Sequence, residues 1–314
     1  MKKKLVAGAV TLLSVVTLAA CANGTNKDIV TMKGDTITVS DFYNEIKTNQ
    51  GAQQVLFQMT INKVFEKEYG SKVSDKEVDK ELAKQKKQLG KQFDAYLAQQ
   101  GLTEETAKKQ IRSNMLLEYA VNQAAKKDIK ESDYKAAFES YTPEVTAQII
   151  KLDSEDKAKE VLEAAKAEGA DFAQIAKDNS TDTATKDKGG EVKFDSGTAG
   201  IPSQVKEAAF KLNENGISDV ITVSAGQNYS ASYYIVKLNK KTEKGSDWKK
   251  YEKRLKEIIV DGRKQDTNYI RSIIAKAMTN ANIKVKDDAF KSTFNQYLQN
   301  IGVQTSDSKS SSKK

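Results

Sequence analysis

The spacing of apolar residues changes twice along this chain, and the first change falls on Pro143, one of two prolines in 314 residues. A proline lacks the backbone donor a helix needs and pushes its predecessor toward extended backbone, so a helical pattern ends there. Val145 to Leu152 then reads as a strand, and from 145 to about 241 strand-like and helical segments alternate. Beyond Ser246, which is placed to cap a helix, apolar residues return to helical spacing: Trp248, Tyr251, Leu255, Ile258, Ile259, Gly262, Tyr269, Ile270, Ile273, Ile274 and Ala277. Unbroken, such a helix would run about 45 Å and would need a partner surface along its length. The pattern predicts an α+β protein, mainly helical, with an α/β segment inserted into a discontinuous helical part.

The first helical part carries recognisable signals. Ile29 to Lys33 and Thr36 to Val39 flank Gly34-Asp35 and predict a small hairpin. Val55, Leu56, Phe57, Met59, Ile61, Val64 and Phe65 give the 52–69 segment a broad apolar face, expected to be well buried. Ser74-Asp75-Lys76-Glu77 is a capping box opening a lysine-rich helix that stops near Gly90, and Thr103 caps a longer helix starting at Glu104. In that helix Ile111, Met115, Leu116 and Tyr119 form a stripe for burial. Ile283 to Val285 is strand-like and is expected to pair with the 29–39 hairpin.

The single cysteine is Cys21, which follows three lysines (Lys2, Lys3, Lys4) and an apolar run from Leu5 to Leu18. That run, of about 14 residues, is short for a membrane-spanning helix and reads as a secretory signal, residues 1–20. Leu18-Ala19-Ala20-Cys21 resembles the bacterial lipobox, in which the thiol receives diacylglycerol and the chain is cut before the cysteine. That implies a lipid-anchored protein on the outer face of the cell membrane, with residues 21–27 as tether. With Cys21 so used, a disulfide within the chain is excluded. The absence of histidine excludes histidine metal sites, triads and switches. The formal charge of +8 falls to about +5 without the signal lysines. Arginine occurs only at 112, 254, 263 and 271, which argues against nucleic acid as a partner. From about Gln304 the chain is serine and lysine, and residues 301–314 are expected to be a disordered tail.

Between Thr146 and Lys240 a series of strings occurs in one order. These are Thr146-Ala147-Gln148-Ile149-Ile150, Asp171-Phe172-Ala173-Gln174-Ile175-Ala176-Lys177, Ser180-Thr181-Asp182, Gly189-Gly190, Ala208-Ala209-Phe210-Lys211-Leu212, Gly216-Ile217-Ser218 and Tyr234-Ile235-Val236-Lys237. This stretch resembles a parvulin-type peptidyl-prolyl isomerase. With the lipobox and flanking helices, the whole chain resembles the PrsA-type foldase lipoproteins of Gram-positive bacteria, their streptococcal branch most of all. The resemblance implies a parvulin-like domain at 143–241, a four-stranded antiparallel sheet covered by helices. It implies a discontinuous helical chaperone domain from 28–142 and 242–300.

The family's chemistry is rotation about an X-Pro amide, against a barrier of about 18–20 kcal/mol. The resemblance places the family's two histidines at Gln148 and Tyr234, its acid at Asp182, and its substrate-binding proline pocket at Ile201, Val205 and Phe210. Only Asp182 keeps the family pattern. Gln148 and Tyr234 both donate and accept hydrogen bonds, and neither titrates near neutrality. Val205 offers a proline ring less surface than the aromatic usual there. A groove that binds extended or proline-containing chain and isomerises it weakly is the expectation, so whether the chain is an enzyme stays open. The loop 224–232, with Tyr229, is longer than the family's turn, and Tyr229 and Tyr233 read as hairpin packing.

The function expected is that of an extracytoplasmic, membrane-anchored foldase whose partners are unfolded exported proteins. No cofactor or metal is implied, and a homodimer stays open. Two other classes are kept. One is a surface adhesin or structural lipoprotein with a vestigial isomerase domain. The other is a solute-binding lipoprotein, which needs two lobes of strand–helix repeats and fits the helical first hundred residues poorly.

Overall fold

The computed structural model describes residues 27–225 and 230–298. The expected signal, the lipidation site Cys21, most of the tether, Tyr229 and the tail 301–314 lie outside the described residues. The chain divides into two compact units, one made of residues up to Gly70 and from Ile274 on, the other of Ser71–Ile273.

In the first unit, β1 (Asp28–Met32) and β2 (Asp35–Thr38) form the expected hairpin, turned by Gly34 at φ +88°. Helices α1 (Val39–Ile46) and α2 (Gln50–Tyr69) follow. Phe57, Ile61, Val64 and Phe65 of α2 are buried, but Val55 and Met59 are 60% and 52% exposed, against expectation. The reason is angular: residues 57, 61, 64 and 65 share one side of a helix, whereas 55 and 59 lie on another. The expected strand at Ile283–Val285 is absent as well, and this sheet has two strands. The Ile283 N–H is spent on the Met278 carbonyl (3.2 Å), with Asn282 left-handed at φ +52°, so this segment closes a helix rather than joining a ladder. The late residues pack on α2: the Phe57 ring stacks on Tyr297 at 4.3 Å and meets Phe294 edge-on at 5.4 Å.

The second unit begins with α3 (Asp75–Leu89), whose Ser74–Glu77 capping box forms as expected, followed by α4 (Phe93–Gln99). Thr103 caps α5 (Glu104–Lys127), of which Ile111 and Leu116 are buried and Met115 and Tyr119 half-buried. After α6 (Glu131–Ser140) the chain enters β3 (Val145–Leu152), α7 (Glu155–Lys166), α8 (Phe172–Asn179), β4 (Glu191–Phe194), α9 (Ser203–Lys211), β5 (Ile221–Ala225) and β6 (Ser230–Lys241). The four strands lie in the order β4-β3-β6-β5, all antiparallel. Strand alternation sorts side chains between two faces. Val145, Ala147, Ile149, Val236 and Leu238 pack with Val205 and Ala209 of α9, and Ile150, Leu152 and Ile235 pack with α7 and α8.

The long helix expected after Ser246 is in two pieces, α10 (Glu252–Gln265) and α11 (Thr267–Asn280). Asp247, not Ser246, opens the segment by capping a turn of 3-10 helix at Trp248–Tyr251. The break falls at Asp266, which is extended (φ −78°, ψ 107°). Its carboxylate accepts the backbone N–H of Asn268 (2.8 Å) and Tyr269 (3.3 Å), so one side chain starts a new helix inside an apolar stripe. α10 packs against α5 and α6, and Arg263 ties the three by donating to the Ala125 carbonyl (2.9 Å) and the Asp133 carboxylate (2.8 Å).

Gly189 and Gly190 let the chain return to the sheet. Both have positive φ, and a Cβ on Gly190 would lie 2.5 Å from the Ile149 carbonyl oxygen, with another on Gly189 2.7 Å from Ala173 Cβ. Neither neighbour can yield, since one is central-strand backbone and the other is a Cβ fixed directly to the backbone of α8. Gly190→Ala should cost more than about 2 kcal/mol, read as a lowered denaturant midpoint; a change within error would show that the passage has slack.

Candidate functional site

Tyr234 lies on β6 opposite Lys151 of β3 and Ile221 of β5, half-buried against the face that α9 covers. Burial, and then the charges of Asp182 and Asp153, raise its phenol above the ordinary tyrosine value, so it is a neutral donor and acceptor throughout the physiological range. Asp182 approaches from the segment after α8, where Thr181 donates its N–H to the Lys151 carbonyl (2.8 Å) and the Lys151 N–H reaches Ser180 Oγ (3.2 Å). Asp182 is thereby beside the strand position that faces Tyr234. Its oxygens are engaged locally, accepting from Ala184 N–H (3.1 Å) and Thr185 Oγ1 (2.6 Å), which fixes the turn leading to Gly189-Gly190.

Gln148 does not join them. Opposed residues on adjacent strands share a face, and Gln148 pairs with Lys237 whereas Ile149 pairs with Val236 and Lys151 with Tyr234. Gln148 therefore stands on the opposite face of the sheet from Tyr234, where its Nε2 donates to the Gly189 carbonyl (2.9 Å). The β3 residues nearest Tyr234 on its face are Lys151, its pairing partner, and Ile149, which is 5% exposed. The resemblance places Gln148 and Tyr234 in one site, and this register separates them: a one-residue offset along a strand moves a side chain through the sheet.

The pocket residues divide too. Ile201 and Phe210 are half-buried on the α9 face, and Phe210 meets Phe194 with ring centroids 5.7 Å apart. Val205 is fully buried between α9 and the sheet, a core residue rather than an open wall. The accessible apolar rim of this face is thus Ile201, Phe210, Leu212, Ile221, Val223 and Tyr234, suited to contact with extended chain and without a titrating group near neutrality among them. A second concavity of about 400 Å³ opens beside the α10–α11 break, floored by Leu117, Val121 and Ile270 and edged by Glu118, Asp261 and Lys264.

Asp195, at the end of β4, was also missed. It is 5% exposed, and its carboxylate accepts from Arg254 Nε (2.6 Å) and Nη2 (2.8 Å), Thr198 Oγ1 (2.9 Å) and the Tyr141 hydroxyl (3.1 Å). Nothing local in the sequence signals this, because Tyr141 and Arg254 are each more than fifty positions away. Burial by itself works to raise the Asp195 carboxyl, but the hydrogen bonds from Arg254, Thr198 and Tyr141 together with the guanidinium charge hold it below the ordinary aspartate value.

A family model, Rotamase: PPIC-type PPIase domain, matches residues 141–240. The foldase protein PrsA of Streptococcus sanguinis is 62% identical over 302 residues, covering 96% of this chain and 90% of that protein. The foldase protein PrsA of Streptococcus gordonii is 60% identical over 315 residues and covers both chains fully. Among solved structures, the crystal structure of foldase protein PrsA from Streptococcus pneumoniae superposes with a TM-score of 0.78 at 54% identity, over 86% of this chain and 99% of that one.

A depressed carboxyl contributes stability that is complete above its unfolded value, about 4, and lost as pH falls through the lower folded value. The thermal midpoint should therefore fall steeply below about pH 4. Asp195→Asn, less stable at pH 7, should show a shallower fall, and equal slopes would refute the assignment.

Proposed function

The chain belongs to the PrsA foldase family and acts as a chaperone of folding polypeptide; from that premise we propose that it works on exported proteins at the outer face of the membrane, holding them chiefly by apolar contact. The observation that carries this reading is where large apolar side chains meet solvent. Ile29, Val30, Met32, Ile37, Phe42, Tyr43, Val55 and Met59 are all at least 39% exposed and lie in the first unit, against Tyr96 alone in the second among the described residues. Exposed apolar side chains concentrated in one unit support its use as an interaction surface. Apolar contact is non-directional and scales with area, at about 25 cal/mol per Å², so it accepts many sequences without a catalytic group.

The sheet face bearing Tyr234, Ile201 and Phe210 is the accessory groove. It lacks histidine, and its Tyr234–Asp182 pair supplies a neutral phenol and a carboxylate committed to its own turn. The lipobox-like Leu18-Ala19-Ala20-Cys21 supports anchoring through lipid on Cys21, which keeps the folded part within about 25 Å of the headgroups if seven residues of tether extend fully. β1 is exposed along its whole length, and a two-stranded hairpin is marginal in isolation, which supports its being covered, by client chain or by the second copy in a homodimer.

Phe42→Ser, Val55→Ser and Met59→Ser together should roughly halve the suppression of client aggregation, because these exposed groups contribute apolar area rather than core. Asp182→Ala should leave it within error. The opposite pattern would make the groove the working surface. Mass spectrometry of the mature protein should find diacylglycerol on Cys21, and an unmodified N-terminus would remove the anchor.

A further inference from the structure

The Asp195 cluster joins the candidate groove to a helix outside the isomerase-like sequence. Arg254 lies on α10, beyond the 141–240 match, yet its guanidinium grips both oxygens of the buried Asp195. Asp195 begins the loop that leads to Ile201. The first half of that loop is held by several bonds. The Asp195 N–H donates to Thr198 Oγ1 (3.0 Å), and Ser196 exchanges bonds with the Thr142 backbone (3.1 and 2.9 Å). Lys206 Nζ, from α9, donates to the carbonyls of Ser196 and Thr198, each at 2.9 Å. The loop also lies directly on α10, since a Cβ at Gly197 would collide with the Ile258 side chain.

A planar guanidinium that holds a carboxylate at two points fixes orientation as well as distance. The partner here is buried, so losing Arg254 would leave a charge with no compensating cation and force the loop to rearrange toward water. We propose that Arg254 is a positioning residue for the groove: acting through Asp195, it sets the loop 196–202, and so the place of Ile201 against the sheet. Arg254 touches no substrate. Its effect on peptide binding rests on the groove reading above, whereas its effect on the loop does not.

The test uses the mature chain carrying Cys21→Ser, below its thermal transition. Methyl NMR reads Ile201 on the loop and Val161, on the far side of the sheet, as control. Arg254→Met should shift and broaden the Ile201 methyl signals and leave Val161 in place. Arg254→Lys, which keeps the charge but not the fork, should give a smaller shift. Affinity for a proline-containing peptide should fall about tenfold in Arg254→Met and partly recover in Arg254→Lys. Ile201 signals that do not move, even if the thermal midpoint falls, overturn the proposal. If the unsubstituted chain binds no such peptide, the groove reading fails and the methyl spectra still decide the positioning role. Should Arg254→Met not fold, Arg254→Lys and Asp195→Asn decide, with displacement of Ile201 supporting the proposal and an unmoved Ile201 refuting it.

Discussion

The buried carboxylate of Asp195 is the constraint on which the second unit depends. A carboxylate taken out of water is tolerated only when its oxygens are satisfied, and breaking such a pair by deleting one partner costs about 3–5 kcal/mol. Here the partners come from three places: Tyr141 before the sheet, Thr198 one turn on, and Arg254 from α10. Around them the aromatic rings of α6 stack on the segment that opens α10, Tyr134 on Trp248 at 5.0 Å and Phe138 on Tyr251 at 5.7 Å. The isomerase-like sheet is therefore bolted to its flanking helices, and groove and helices answer to one another.

The two faces of that sheet have different duties. One face, with Gln148, Ile150, Leu152 and Ile235, is turned to α7 and α8 and is structural. The other carries Tyr234 and the half-buried apolar residues beside α9, and it is the face of the proposed groove. What this face offers is surface and one neutral phenol. Isomerisation needs no nucleophile in principle, since an apolar grip on the proline ring beside a poorly hydrated amide lowers the barrier. With Val205 sealed in the core, that grip is shallow.

Much of this was legible in the sequence because it is written locally. The Ser74 and Thr103 caps and the Gly34 turn each rest on a few adjacent residues whose chemistry has few outcomes, whereas the antiparallel sheet was legible only through the resemblance. What was not legible depended on geometry at a distance or on a single atom's choice. Gln148 was placed in the site because its string matched the family, but whether a strand residue faces one way or the other turns on a one-residue register. The long helix after residue 246 looked continuous because its apolar stripe is, and Asp266 breaks it by capping its own successors. Val55 and Met59 fit a count of apolar residues and fail a count by angle. The Asp195–Arg254 pair, spanning fifty-nine positions, has no local signature at all.

The central claim is that this chaperone handles chains by apolar contact without a titrating catalytic group. Its most direct test is the rate of cis–trans exchange at an X-Pro bond of a short peptide, followed by exchange NMR with the full mature protein from about pH 5 to 8, a window in which histidine alone among unperturbed side chains changes charge. The account predicts weak acceleration that is flat across the window. Strong acceleration with a midpoint near pH 6.5 would contradict it.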